Sequence, residues 1–408
     1  MPTVTTVLGP VEAGALGSVL AAETLLCAPP QRLGNAGVPA SEAEFERVAV
    51  GMPMLGRLML GAVNTDDRTI EADAAEAAVD ELAAAAGTET GRSAALVALA
   101  GEGSTAEPAA LACLSRASGV AIVRGTDGGI GSGSGSRSAG SSPSGAPGDG
   151  ASDPGPLDPD AVGRRIAAEL RATEHPAGVV GAIPLPLDAR AGGAARPRSP
   201  GVSASPEAAE LTDADRALAL LVAAARAASA AGAALVVSPR PDPWEVAPPH
   251  AAGDATLAAL ERALDAVDAA GLDRSRVVLL GAAGVIADAA GTGVDHGRLD
   301  ALLGLGTAIC FDQLGRIPNV RTVVSDHDLA AAILRSAAAG AAHRVLLSSG
   351  IRNKHRLTAY GGNGLEFVAT QFLPYLRMMG ADDELVAAVG GGNAARVLAR
   401  ATDEGAGE

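Results

Sequence analysis

The chain has 408 residues, 48% of them apolar and 19% charged, with a formal net charge of −16. That balance fits a globular protein, and its acidic surplus argues against gripping a phosphate backbone, which needs clustered Lys and Arg. No apolar run is long enough to span a bilayer, and MPTVTTVLGP lacks the basic head and apolar core of a signal peptide, so the expectation is a cytoplasmic protein with neither nucleic acid nor membrane as partner.

Eight short apolar runs are predicted as strands: 17–22, 93–100, 119–124, 178–183, 233–238, 276–281, 307–311 and 344–348. They are poor in alternation, as parallel strands buried on both faces should be. The segments between them carry helical spacing. Leu218, Leu221, Val222 and Ala225 fall at i, i+3, i+4 and i+7, and Leu257, Leu260, Leu264 and Val267 keep helical intervals as well. Thr212 with Asp215, and Ser325 with Asp328 ahead of Leu329, Ile333 and Leu334, read as loose capping boxes. Eight strand–helix units predict an α/β protein, a (β/α)8 TIM barrel in one domain over 1–408. A doubly wound open sheet is the other arrangement, but it would usually carry a Gly-rich phosphate loop after its first strand, and GSVLAAETLL has none. Two Gly/Ser/Pro-rich stretches, 128–157 and 188–208, are expected to be disordered insertions. Cys27, Cys113 and Cys310 show neither zinc-pair nor disulfide spacing, and are expected as buried free thiols.

In a barrel the chemistry sits where strands end and loops begin. The eight junctions read Ala22-Glu23-Thr24, Gly101-Glu102-Gly103, Arg124-Gly125-Thr126-Asp127, Ala182-Ile183-Pro184, Ser238-Pro239-Arg240, Gly281-Ala282-Ala283, Phe311-Asp312-Gln313 and Ser348-Ser349-Gly350. None holds a histidine; His175, His250, His296, His327, His343 and His355 fall in loops, at helix starts or at the head of a strand. A hydrolytic metal centre needs imidazoles and carboxylates converging on the ion, and these junctions do not supply them. Of the groups present, Asp312 is a candidate general base, or a structural carboxylate. Arg316, Arg352 and Arg356 could grip an anion, or pair with Asp312 and Glu366. The catalytic candidates are Asp312 and Arg352; the ligand-binding candidates are Arg316, Ser238, Ser349 and Tyr360. Lys354 and His355 are the groups near enough in sequence to activate Ser348 or Ser349. Glu102 and Asp127 are junction carboxylates without a matched partner.

Residues 346–364, LLSSGIRNKHRLTAYGGNG, carry a resemblance. The stretch resembles the phosphotriesterase family of the amidohydrolase superfamily, which reads there Leu-Leu-Ser-His-Asp, a spacer, Lys-His-Arg-Leu, then Tyr-Gly-Gly-His-Gly. TVLGPV, LGSVLAAETLL, the run LTDADRALALLVAAARAASAAGAALVVSP, GLDRSRVVLLG, FDQLGRIPNV and VGGGNAARVLA are similar to it as well, so the likeness covers nearly the whole chain outside the two insertions. The resemblance implies a TIM barrel, a pair of divalent ions (usually zinc), hydrolysis of phosphotriesters, lactones or similar esters, and a homodimer. It also implies where the ligands would fall: the strand-one histidines on Ala22 and Thr24, the strand-four bridging carboxylate on Ala182, the strand-five histidine on Ser238, the strand-six histidine on Gly281 or Ala282, and the strand-eight aspartate on Gly350. The histidine of Tyr-Gly-Gly-His-Gly falls on Asn363. Glu23 does not restore the set: with 22 and 24 facing inward, 23 faces outward toward helices or loops. The expectation is therefore a phosphotriesterase-like pseudoenzyme without a metal cofactor, binding an unidentified small molecule or partner. The alternatives are the family's metal-dependent hydrolysis, and a metal-independent enzyme that reuses the pocket through Asp312 and Arg352.

Overall fold

Strands of Val, Leu, Ile and Ala build the frame, in a computed structural model that describes residues 1–28, 40–86, 92–101, 103–130, 157–185, 213–239, 253–288, 290, 292–320 and 322–400. β1 (Thr3–Thr6) and β2 (Gly9–Glu12) pair as an antiparallel hairpin. β3 (Leu16–Glu23), β4 (Ser93–Ala98), β5 (Ala121–Thr126), β6 (Val179–Pro184), β7 (Ala234–Ser238), β8 (Val277–Leu279), β9 (Ala308–Phe311) and β10 (Val345–Leu347) form one parallel sheet in sequence order. The intervening helices are α1 (Ala72–Ala86), α2 (Pro108–Ser118), α3 (Pro159–Leu170), α4 (Asp213–Ala230), α5 (Gly253–Ala269), α6 (His296–Gly304) and α7 (Asp326–Ala338), and α8 (Asn393–Leu398) follows β10. This is the (β/α)8 barrel expected, with each strand found within a few residues of its predicted place.

Neighbouring residues of one strand serve two different cores, which is why alternation is missing from the sequence. Val97, Val236, Val278, Cys310 and Leu346 face the barrel interior. Their neighbours Leu96, Leu235, Leu279, Phe311 and Leu347 face the helices. Both sets are buried, so both must be apolar. The lower end of the barrel is plugged by Val4, Leu16, Ala394, Val397 and Leu398, all in the interior cluster. Asn393 fixes that plug: its buried side-chain amide donates to Ala342 O (2.8 Å) and Val345 O (2.9 Å) at the head of β10.

Several expectations are corrected. The β1–β2 hairpin is not announced by the sequence, its strands being only 4 residues long. Cys27 and Cys310 are buried, but Cys113 is exposed on α2. Leu218 is 37% exposed, because the buried stripe of α4 runs through Leu221, Ala224, Ala225 and Ala228 instead. Thr212, Glu102, residues 131–156 of the first expected insertion and all of the second lie outside the described residues. Among the described residues no helix is long and apolar enough to cross a membrane.

The capping box at Ser325 does form. Its hydroxyl accepts from Asp328 N and its own N–H donates to Asp328 Oδ2 at 2.9 Å. Ser325→Ala is expected to cost about 1 kcal/mol, the usual worth of an N-cap, read as a lower urea midpoint with an unchanged slope.

Candidate functional site

The upper end of the barrel is decided at the seam between its first and last strands. Glu23 ends β3 and is 1% exposed. A buried carboxylate needs donors, and four converge on it from the end of β10. Glu23 Oε1 accepts from Ser348 Oγ (2.6 Å), Ser349 N (2.9 Å) and Gly350 N (3.0 Å). Glu23 Oε2 accepts from Ile351 N at 2.8 Å. Ala22 N donates to Ser348 Oγ (2.9 Å) and Thr24 N to Ile351 O (3.3 Å), so main chain and side chain together close the seam. Burial drives the Glu23 carboxyl above its ordinary value, and the donors pull it back only in part. Alternation takes Glu23 away from its neighbours, and of the helices or loops expected, its destination is the turn after β10.

The positions singled out at the strand ends lie as follows. Ala22 is buried on β3, Thr24 is 8% exposed just beyond it, Ala182 and Ser238 are half-buried on β6 and β7, and Ala282 is buried immediately after β8. Gly350 follows β10 in the left-handed region, at φ +59°. A Cβ placed on it would sit 1.8 Å from Asp312 O. Three of these six residues offer a methyl group, one a hydrogen and two a neutral hydroxyl; none offers an imidazole or a carboxylate. Among the described residues no group of three or more His, Cys, Asp or Glu is placed to hold a metal ion.

Asp312 is not the open junction carboxylate that its place suggests. It is 9% exposed, and Oδ1 accepts from Gly281 N at 3.0 Å, tying the end of β9 to the end of β8. That is its one hydrogen bond among the described residues, and Arg352 is not its partner. Arg352 is half-buried, and its carbonyl faces Cys27 Sγ at 3.6 Å. Arg316 is exposed and donates to Gln313 Oε1 at 2.8 Å.

The arginines at the ends of β9 and β10 therefore do not form one grip. Arg356 is buried, and its Nη2 donates to Leu314 O (2.9 Å) and Ser349 O (3.0 Å). Burial, with Arg316 nearby, lowers the Arg356 guanidinium to about 9. Ser349 is 0% exposed, and its hydroxyl has no hydrogen-bond partner among the described residues. Tyr360 is half-buried against the outer core, with Lys354 Nζ 5.8 Å from its ring centroid. Ser238 contributes its carbonyl to Leu185 N at 2.8 Å.

Lys354-His355-Arg356 is a docking strip: the first two side chains reach the consecutive Asp66 and Asp67, and Arg356 turns to the ends of β9 and β10. Lys354 Nζ meets Asp66 Oδ1 at 2.6 Å, and His355 Nδ1 meets Asp67 Oδ1 at 2.8 Å. Asn353 Nδ2 holds the second oxygen of Asp67 at 2.8 Å. Neither Lys354 nor His355 serves Ser348, whose hydroxyl is spent on Glu23. Asn363, at the fourth place of Tyr-Gly-Gly-Asn-Gly, donates Nδ2 to Gly315 O at 2.9 Å and pins the loop after β9.

The sequence from the middle of the chain onward supplies the decisive comparison: the model of the phosphotriesterase family matches residues 205–398. Over those residues, a little under half of the chain, it is similar to the phosphotriesterase family. It is 33% identical over 99 residues to a phosphotriesterase-related protein of Aedes aegypti, a match that spans 23% of this chain and only 28% of that relative's length. Among solved structures it is similar to a resiniferatoxin-binding protein from Rhodobacter sphaeroides, at 23% identity and TM-score 0.67, over 97% of this chain and 95% of that one. A lactonase from Listeria monocytogenes gives TM-score 0.59 at 14% identity, over 98% and 100% of the two chains. A PTE-like lactonase variant from Deinococcus radiodurans gives 0.58 at 19%, over 97% and 100%. Likenesses at these identities carry the barrel fold. Within this barrel, Glu23 is the group that the sequence reading undervalued. Part of its signal was present: a lone carboxylate inside an apolar parallel strand needs donors, although the sequence does not say from where.

Proposed function

We propose that this chain is a non-hydrolytic member of the phosphotriesterase family, a barrel that binds a small molecule at its mouth without a binuclear metal centre. The observation that carries this reading is at Gly350. The strand-eight ligand of the family falls on a residue with no side chain, in a left-handed conformation, with the carbonyl of Asp312 where a Cβ would stand. The other positions agree with it. Methyl groups at Ala22, Ala182 and Ala282 have no lone pair to offer, and the hydroxyls of Thr24 and Ser238 are poor zinc ligands beside imidazole or carboxylate. The residues present do not fit a pair of divalent ions.

What the vacated positions offer is methyl groups and neutral hydroxyls, with the nearby Asp312 carboxylate tied to Gly281 N, which suits retention of a ligand rather than activation of water. The likeness to a barrel named for the molecule it binds supports the same reading. The test is turnover of an aryl phosphotriester and of a lactone by protein supplied with zinc. No turnover above background is expected, with or without a chelator. Turnover that a chelator abolishes would overturn the proposal.

A further inference from the structure

We propose that the face of the barrel opposite the mouth carries a binding site for a phosphate-type oxyanion, built from the guanidinium groups of Arg276, Arg396 and Arg400. Some exposed arginines in this acidic chain pair with carboxylates, as Arg57 does with Glu42 and Arg335 with Asp300. These three do not, and their partners are main-chain carbonyls and one hydroxyl. Arg276 Nη2 donates to Gly232 O at 2.7 Å. Arg400 donates Nη1 to Ala231 O (2.6 Å), Nη2 to Ala177 O (3.0 Å) and Nε to Thr5 Oγ1 (3.2 Å). Arg396 Nη2 donates to His343 O.

Ala231 and Gly232 are consecutive, so two cationic groups are seated on adjacent carbonyls just past the end of α4. Each of the three arginines stands at the lower rim: Arg276 immediately before β8, Arg396 on the plugging helix α8, and Arg400 just beyond it. Capping the end of α4 explains why one N–H of Arg276 points where it does. It does not explain why three like charges are gathered with one carboxylate, Asp273, acting on Arg276 among the described residues. The crowding is felt: burial, then Arg400 and Arg396, hold the Arg276 guanidinium below its ordinary value. The opposing charge that reaches Arg276 is Asp273, whose Oδ1 is already taken by Ser275 N at 2.7 Å.

Arg276 and Arg396 each spend a single amine on protein, leaving the rest of the fork for a ligand. Planar forks of this kind match the oxygens of phosphate, and a doubly charged oxyanion would answer the clustered charge. Arg400, with every nitrogen engaged, sets the local field and holds the rim.

Equilibrium dialysis of the full chain at constant ionic strength tests this, with inorganic phosphate and glycerol phosphate titrated separately. One saturable site per chain is expected. Arg276→Gln and the exposed-site variant Arg396→Gln should each weaken it roughly tenfold or more, about the worth of one charge-assisted hydrogen bond. Arg164→Gln, on α3, should leave it unchanged. Tighter binding of the ester would assign the site to a phosphorylated compound, and equal binding to the free ion. No saturable binding, or binding that neither Arg276→Gln nor Arg396→Gln weakens, would overturn the proposal. Arg396 is on the surface, so its variant remains informative if Arg276→Gln folds poorly.

Discussion

Glu23→Ala is expected to destabilise the barrel by about 4 kcal/mol or more, enough to unfold much of the protein in mild denaturant. The side chain accepts from one hydroxyl and from three consecutive backbone N–H groups. The hydroxyl can turn away, but the three amides cannot, and a buried amide left without an acceptor costs about 1–3 kcal/mol. The seam has little else to hold it, since β3 and β10 are the two ends of the hydrogen-bonded strand order. Glu23→Gln keeps one acceptor oxygen but presents an NH2 group to the remaining donors, so it should fall between the parent and Glu23→Ala. The two variants also expose a pH effect. Because burial raises the Glu23 carboxyl in the folded protein, the native state binds a proton more readily than the unfolded chain. The stability that this group contributes is then fully present below the unfolded value of 4.5 and is lost as pH rises through the raised folded value. Parent minus Glu23→Gln stability, followed by urea denaturation, should therefore increase as pH is lowered toward 4.5. A difference that grows as pH rises would contradict this sign.

Gly350→Ala, the least substitution that adds a Cβ, is expected to cost about 3–5 kcal/mol, and Gly350→Asp at least as much. Two penalties add. A non-glycine residue at φ +59° costs about 1–2 kcal/mol by itself. The new atom would also lie 1.8 Å from Asp312 O, a main-chain oxygen that cannot swing aside. Relief requires the turn at 348–351 to move, and that turn holds Glu23, so the two sites should couple when both are changed. Thermal unfolding of the two single variants reads the effect. A Gly350→Asp protein as stable as its parent, in the absence of metal, would mean that the turn is free to reopen around a ligand side chain.

The frame of this protein was legible because both faces of its strands are buried, and such strands announce themselves as unbroken apolar runs. Leu96 and Val97 serve opposite cores, yet both must be apolar, so the period is absent but the run is plain. Local chemistry was legible where its partners are close in sequence, as with Ser325 and Asp328, 3 residues apart. It was opaque where they are not. Glu23 and Ser348 are separated by 325 residues, and Lys354 and Asp66 by 288. Nothing near Glu23 in the chain says that its donors come from the last strand. The partner of Asp312 was opaque for a related reason: Gly281, whose N–H it accepts, lies 31 residues away. Cys113 misled because the burial typical of free thiols is a tendency of the residue, whereas exposure depends on which face of α2 it occupies.

The most direct test of the central claim is a metal count on the intact chain, produced with excess zinc and dialysed against metal-free buffer before elemental analysis. The account predicts no stoichiometric zinc, manganese or iron, and no change in melting temperature when zinc is returned. Two equivalents retained per chain, lost on chelation together with stability, would show that the mouth holds an ion pair and would contradict it.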